Sequence, residues 1–194
     1  MDFFTSDWHL NDELIREKCG RKFKDAARMN EVIIKQANQR ATKFDTIIHV
    51  GDFIQRGMDR GTGLARDKQL TAREAVKQLC ANVLLLEGNH DGNNRCNASG
   101  KVLIRKVGSI DCIVQHYPSN IGNTFRIDGG KYTTVNVCGH VHGKWAFFYD
   151  KATNVLNANV GIDIYPYMVK ECDLAELIKK EAQRLNLKLY RFIV

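Results

Sequence analysis

Proline is nearly absent from this 194-residue chain, which has only 2. Long extended linkers are therefore not expected, and the length suits a single domain over 1–194. The chain has 6 cysteines but no Cys-x-x-Cys pair. Its N-terminal run, Met1-Asp2-Phe3-Phe4-Thr5, lacks the basic and apolar regions of a secretory signal. Cys80, Cys112 and Cys138 lie in or beside apolar runs, where a free thiol behaves as a small hydrophobe. Together these features point to reduced thiols and a cytoplasmic location. No apolar stretch approaches the roughly 18 residues that span a bilayer. Internal repeats, low-complexity segments and long basic runs are also missing. The net charge is nonetheless +7, with Lys and Arg interleaved among acids. That balance suits an anionic partner such as a nucleotide or nucleic acid, and equally an ordinary basic surface.

What is present alternates between strand-like and helix-like patterns. Helical spacing predicts helices over about 25–42, 66–81 and 171–185, carried by residues such as Met29, Ile33 and Ala37, or Leu174 and Ile178. Gln55–Gly63 carries three glycines and reads as a loop. Five short apolar runs read as buried strands: Phe3-Phe4, Ile47-Ile48, Val83–Leu86, Ile110–Val114 and Val135–Cys138. The mixture predicts an α/β fold.

Each of these strands ends in residues that can bind metal. The endings are Asp7-x-His9, Gly51-Asp52, Gly88-Asn89-His90-Asp91, His116 and Gly139-His140-x-His142. Ligands in α/β folds gather at the carboxyl ends of strands, so the five endings predict one site. Residues two apart on an extended chain share a face, which would let each of the two pairs reach one cavity. Glycine before Asp52, Asn89 and His140 permits a sharp departure from the strand. Five of the 6 histidines fall at strand ends. A lone histidine there is more often structural, but five in one register with two Asp and one Asn are not explained by packing. His49 lies inside a strand and reads as a core residue or a support to the site. Imidazole-rich sites with carboxylates suit Mn, Fe, Zn, Co or Ni better than Mg or Ca. Paired metals stand roughly 3.5–4 Å apart in hydrolytic sites, and a carboxylate can bridge them. Two divalent ions, two Asp and a bridging hydroxide leave a slightly positive site that favours a phosphoryl group.

In order and spacing these blocks resemble the calcineurin-like metallophosphoesterase superfamily, over residues 2 to about 165. More narrowly they resemble a small bacterial and phage subgroup of phosphoesterases. Further matches to it are Thr5-Ser6-Asp7, Met29-Asn30-Glu31, His116-Tyr117-Pro118 and Asn159-Val160-Gly161-Ile162-Asp163. The resemblance implies a four-layer α/β/β/α sandwich of two mixed sheets flanked by helices. It implies that Asp7, His9 and His142 hold one metal, Asn89, His116 and His140 a second, and that Asp52 bridges. It casts His90 as the group that protonates the leaving oxygen, with Asp91 orienting it. Arg56 matches a phosphate-binding arginine, a role its guanidinium suits, although Gln55 replaces an acid of that block. Its place in a loop suits a solvated side chain almost as well, and Arg95 is a weaker candidate. The rings of Trp8, Trp145, Tyr117, Tyr165 and Tyr167 could stack on a base, though such aromatics are more often core.

The expected function is a binuclear-metal phosphodiesterase in which metal-bound hydroxide attacks phosphorus in line. A nuclease, a nucleotidase or phosphomonoesterase, and a non-catalytic scaffold of the same fold are alternatives. The expected cofactors are two divalent transition-metal ions, Mn foremost, with Fe, Zn, Ni or Co also suited.

Overall fold

The computed structural model describes residues 1–55, 64–65, 68–92, 96–119 and 132–190. Two mixed sheets flanked by helices form its frame. The first has the order β3-β2-β1-β9. It contains β1 (Asp2–Thr5), β2 (Thr46–Val50) and β3 (Asn82–Leu86) in parallel, with the short β9 (Val169–Lys170) antiparallel at one edge. The second has the order β4-β5-β6-β8-β7. Its parallel centre is β5 (Ile110–Gln115), β6 (Thr134–Cys138) and β8 (Val155–Asn159). The edge strands β4 (Val102–Val107) and β7 (Phe147–Asp150) run antiparallel to their neighbours.

Strand alternation explains the layering. Phe4, Ile48 and Leu86 face the second sheet and join Cys112, Val114, Val135, Val137 and Leu156 in one core. Helix α4 (Glu171–Arg184) adds Leu174, Ile178 and Ala182 to it. Phe3, Ile47 and Leu85 point the other way, into a second core with α2 (Ala26–Arg40) and α3 (Ala72–Lys77). Helix α2 begins where the Asp25 side chain accepts a bond from Arg28 N, and it buries Met29, Ile33, Ile34 and Ala37. Cys112 and Cys138 are buried, whereas Cys80 is exposed.

All five predicted strands are present. Patterning missed β4, β7, β8 and β9, and also the six-residue α1 (Glu13–Lys18). Among the described residues of the helix predicted over 66–81, only Ala72–Lys77 are α-helical, opened by a Thr71–Glu74 capping box.

Candidate metal centre

Every predicted ligand sits at one edge of the two sheets, on a loop that leaves a strand. The pairs do not reach the cavity by extended-strand periodicity, because β1 ends at Thr5 and β6 at Cys138. Asp7, His9, Asp52, His140 and His142 instead have φ of 57°, 48°, 55°, 70° and 51°. Left-handed backbone is costly for residues with a Cβ and persists where surroundings over-determine it. The bonds that impose it are visible: Asp7 N donates to Gly51 O and His9 N to Asp52 O. Glycine is required where these loops touch. A Cβ on Gly139 would sit 2.5 Å from Asp7 Oδ2, and one on Gly51 would sit 2.5 Å from His116 Nδ1.

The donor atoms converge in two groups, linked by a third made of His9, Asp52 and His90. Asp7, His9 and His142 each offer an atom within 4.8 Å of the others, as do Asp52, His116 and His140. Asp52 Oδ2 stands between the groups, 3.4 Å from His9 Nε2 and 3.3 Å from His116 Nε2. Asn89 Oδ1 lies 3.1 Å from His116 Nε2 and 2.9 Å from His140 Nδ1.

The hydrogen-bond pattern fits a cation. His116 Nδ1 faces Val50 O at 2.9 Å. A carbonyl only accepts, so Nδ1 carries the hydrogen and a neutral ring presents a lone pair at Nε2. That lone pair faces the oxygens of Asp52 and Asn89 and the His140 nitrogen 3.3 Å away. His142 repeats the arrangement, with Nδ1 2.8 Å from Asp163 Oδ2. His9 is buried and neither ring nitrogen makes a hydrogen bond, although Asp12 Oδ2 lies 3.3 Å from Nδ1. Outer partners of this kind orient metal-binding imidazoles.

Electrostatics agree. Burial opposes charge on His9, yet Asp12, Asp52 and Asp7 push its pKa up to about 9. Burial likewise opposes charge on His142, but Asp163, Cys19 and Asp7 push it up to about 10. Burial raises Asp52, and this is outweighed by His116 and His9, which hold it well below the usual carboxylate range. Carboxylates thus favour positive charge here, whether as protons or as metal ions. Burial pushes His140 down, helped by His116. His49 is buried between Trp8 and Phe53, with ring centroids at 5.1 Å and 5.0 Å, and burial drives it down to about 3.

His90 stands at the rim, its ring centroid 4.8 Å from that of His9 and its Nε2 4.0 Å from Asp52 Oδ2. Its Nδ1 meets Gln55 Oε1 at 3.0 Å. Asp91 is engaged elsewhere: its oxygens accept from the backbone N–H groups of Asp52, Phe53 and Gly88 at 2.7–2.9 Å. Arg56 and Arg95 lie outside the described residues. Trp8 is buried, Trp145 packs on Phe148, Tyr167 sits under Arg40, and Tyr117 lies against the His140 ring at 4.8 Å.

Sequence reading missed Asp12 and Arg21. Arg21 pairs with both Asp163 oxygens at 2.8 Å and donates to Trp8 O and Asp7 O. An isolated arginine after Gly20 carries no local signal of this. Asn159, part of the quoted Asn159–Asp163 block, donates to His142 O and Trp145 O and so fixes the loop after His140.

The family profile described as calcineurin-like phosphoesterase matches residues 3–159. An uncharacterised protein of Methanocaldococcus jannaschii is 25% identical over 183 residues, covering 92% of this chain and 91% of that protein. A protein of unknown function from Aquifex aeolicus, solved by crystallography, superposes with a TM-score of 0.62 at 20% identity, covering 91% of this chain and 98% of that one. A structure described as a novel archaeal phosphodiesterase gives a TM-score of 0.38 at 19% identity, covering 84% and 86%.

Proposed function

From the premise that the chain belongs to the calcineurin-like phosphoesterase family, and so is a metal-dependent phosphoester hydrolase, we propose a two-metal phosphodiesterase. In this reading residues 1–194 form one catalytic domain. Asp7, His9 and His142 hold one divalent ion and Asn89, His116 and His140 the other. The observation that carries it is the position of Asp52 Oδ2, within 3.4 Å of an imidazole nitrogen from each group. Manganese suits this mixture of imidazole and oxygen donors. Bound there, the metals supply Lewis acidity and an activated water.

The protein's own part is positional. Val50 O and Asp163 fix the ring orientation of His116 and His142. Gln55 Oε1 accepts from His90 Nδ1–H, leaving Nε2 to deliver a proton to the leaving oxygen. Arg56 is the proposed phosphate ligand on the strength of its motif. The cleft, at about 870 Å³, has room for both esterified groups of a diester.

The test compares bis-p-nitrophenyl phosphate with p-nitrophenyl phosphate on Mn²⁺-loaded protein. A diester preference is expected. Asp52→Asn should abolish turnover and lower metal stoichiometry, and His90→Ala should slow turnover by about 10²–10⁴. Full activity in Asp52→Asn, or a monoester preference, overturns the reading.

A further inference from the structure

The cleft that holds the candidate ligands is also lined by basic side chains. Lys18 closes α1, Lys22 follows in the next loop, and Lys144 ends the short 3-10 turn that His142 begins. Among the described residues lining the cleft, the only carboxylates are Asp52 and Asp163. Asp163 is already paired with Arg21 and His142, and Asp52 belongs to the metal cluster. No ion pair to Lys18, Lys22 or Lys144 is found among the described residues. Elsewhere Lys106 and Lys179 do have acidic partners.

The wall is also held in place. Arg21, next to Lys22, is fastened to Asp163 and to the backbone of Asp7 and Trp8. Arg16 donates to Phe23 O at 2.9 Å, and Glu13 accepts from Ala26 N at 2.6 Å. The backbone on both sides of Lys22 is therefore anchored before any ligand arrives, which lowers the ordering cost of binding. Ile15, Phe23 and Ile162 give the same cleft an apolar lining. One phosphoryl group at the metal cluster leaves these three ammonium groups without a counter-charge. A cleft lined by one sign of charge concentrates ligands of the opposite sign.

We propose that the substrate is a phosphate ester bearing a second anionic group, which Lys18, Lys22 and Lys144 bind while the scissile phosphoryl group lies at Asp52 and the histidines. The inference rests on the hydrolase reading of that site. A second phosphate on a free nucleotide and the next phosphate of a nucleic-acid strand share this chemistry.

Binding is read by calorimetry on the full chain, both Mn²⁺-loaded and metal-free, with thymidine 3′,5′-bisphosphate against thymidine 5′-monophosphate. The bisphosphate should bind about tenfold tighter, the scale expected of a few exposed charge contacts, and added salt should narrow the gap. Replacing the three lysines by Gln should erase the gap, and replacing them by Arg should keep it. Equal affinities in the unaltered protein, or a gap that survives the Gln variant, overturn the proposal. The metal-free arm needs no turnover, so an inactive protein with the gap intact counts against the hydrolase reading alone. A 5′-phosphorylated thymidine dinucleotide separates the sources. An equal gain there marks a nucleic-acid strand, and a gain confined to the bisphosphate marks a free nucleotide.

Discussion

Asp163 illustrates how much of this site is orientation. Its carboxylate stands 2.8 Å from His142 Nδ1 and also neutralises Arg21. An amide in its place keeps an acceptor but loses the charge that fixes the ring and balances the guanidinium. Asp163→Asn is expected to weaken Mn²⁺ binding about 10- to 100-fold, measured by titration calorimetry. Unchanged affinity would show that His142 holds its pose without Asp163. The candidate donors were legible in the sequence because Asp, His and Asn at strand ends announce their chemistry. Asp12 and Arg21 were not, because a helix-capping aspartate and a loop arginine look the same wherever they point. The exchange of Asp91 for Gln55 at His90 was hidden for a related reason: backbone amides leave no trace in side-chain spacing.

At the scale of elements, the loops after β1, β2 and β6 matter more than the strands. Five strands were readable because their apolar runs are continuous, whereas the central β8 is buried throughout but its run is broken by Asn157 and Asn159. Edge strands β4 and β7 pair on one side only and mix exposed with covered residues, as Ile104 and Phe148 show, so their pattern is weaker. Helix α1 is too short to display a period. The approach of the β6 loop to the β1 loop depends on Gly139, whose missing Cβ leaves room for Asp7 Oδ2. Gly139→Ala should displace Asp7, cut metal occupancy by more than about tenfold and cost about 1–3 kcal/mol of stability. Gly100→Ala is the control, since a Cβ there meets nothing nearer than 4.0 Å. Metal analysis and thermal unfolding of both variants check this. Equal occupancy in the two variants would mean that the loops can separate without penalty.

For the whole molecule, pH, metal and stability are linked. In the metal-free fold His9 titrates near 9 and His142 near 10, against about 6.5 when unfolded. A raised folded pKa gives stability that is fully present below 6.5 and lost as pH rises through 9 to 10. Metal ligation needs the neutral rings, so uptake releases protons and strengthens over the same interval. The melting temperature of metal-free protein should therefore fall between pH 6.5 and 9, while the gain from added Mn²⁺ grows. Thermal melts across that range, with and without chelator, give both trends. A Mn²⁺ gain that shrinks with rising pH would contradict the assignment of His9 and His142 as ligands. The two-sheet architecture was foreseeable from motif order, whereas this coupling needed the distances between carboxylates and rings.

The left-handed backbone at Asp7, His9, Asp52, His140 and His142 has an evolutionary corollary. At each of these positions glycine relieves strain, so thermostability and chemistry pull in opposite directions at the same five codons. A glycine at any one of them would trade a candidate donor for a relaxed backbone.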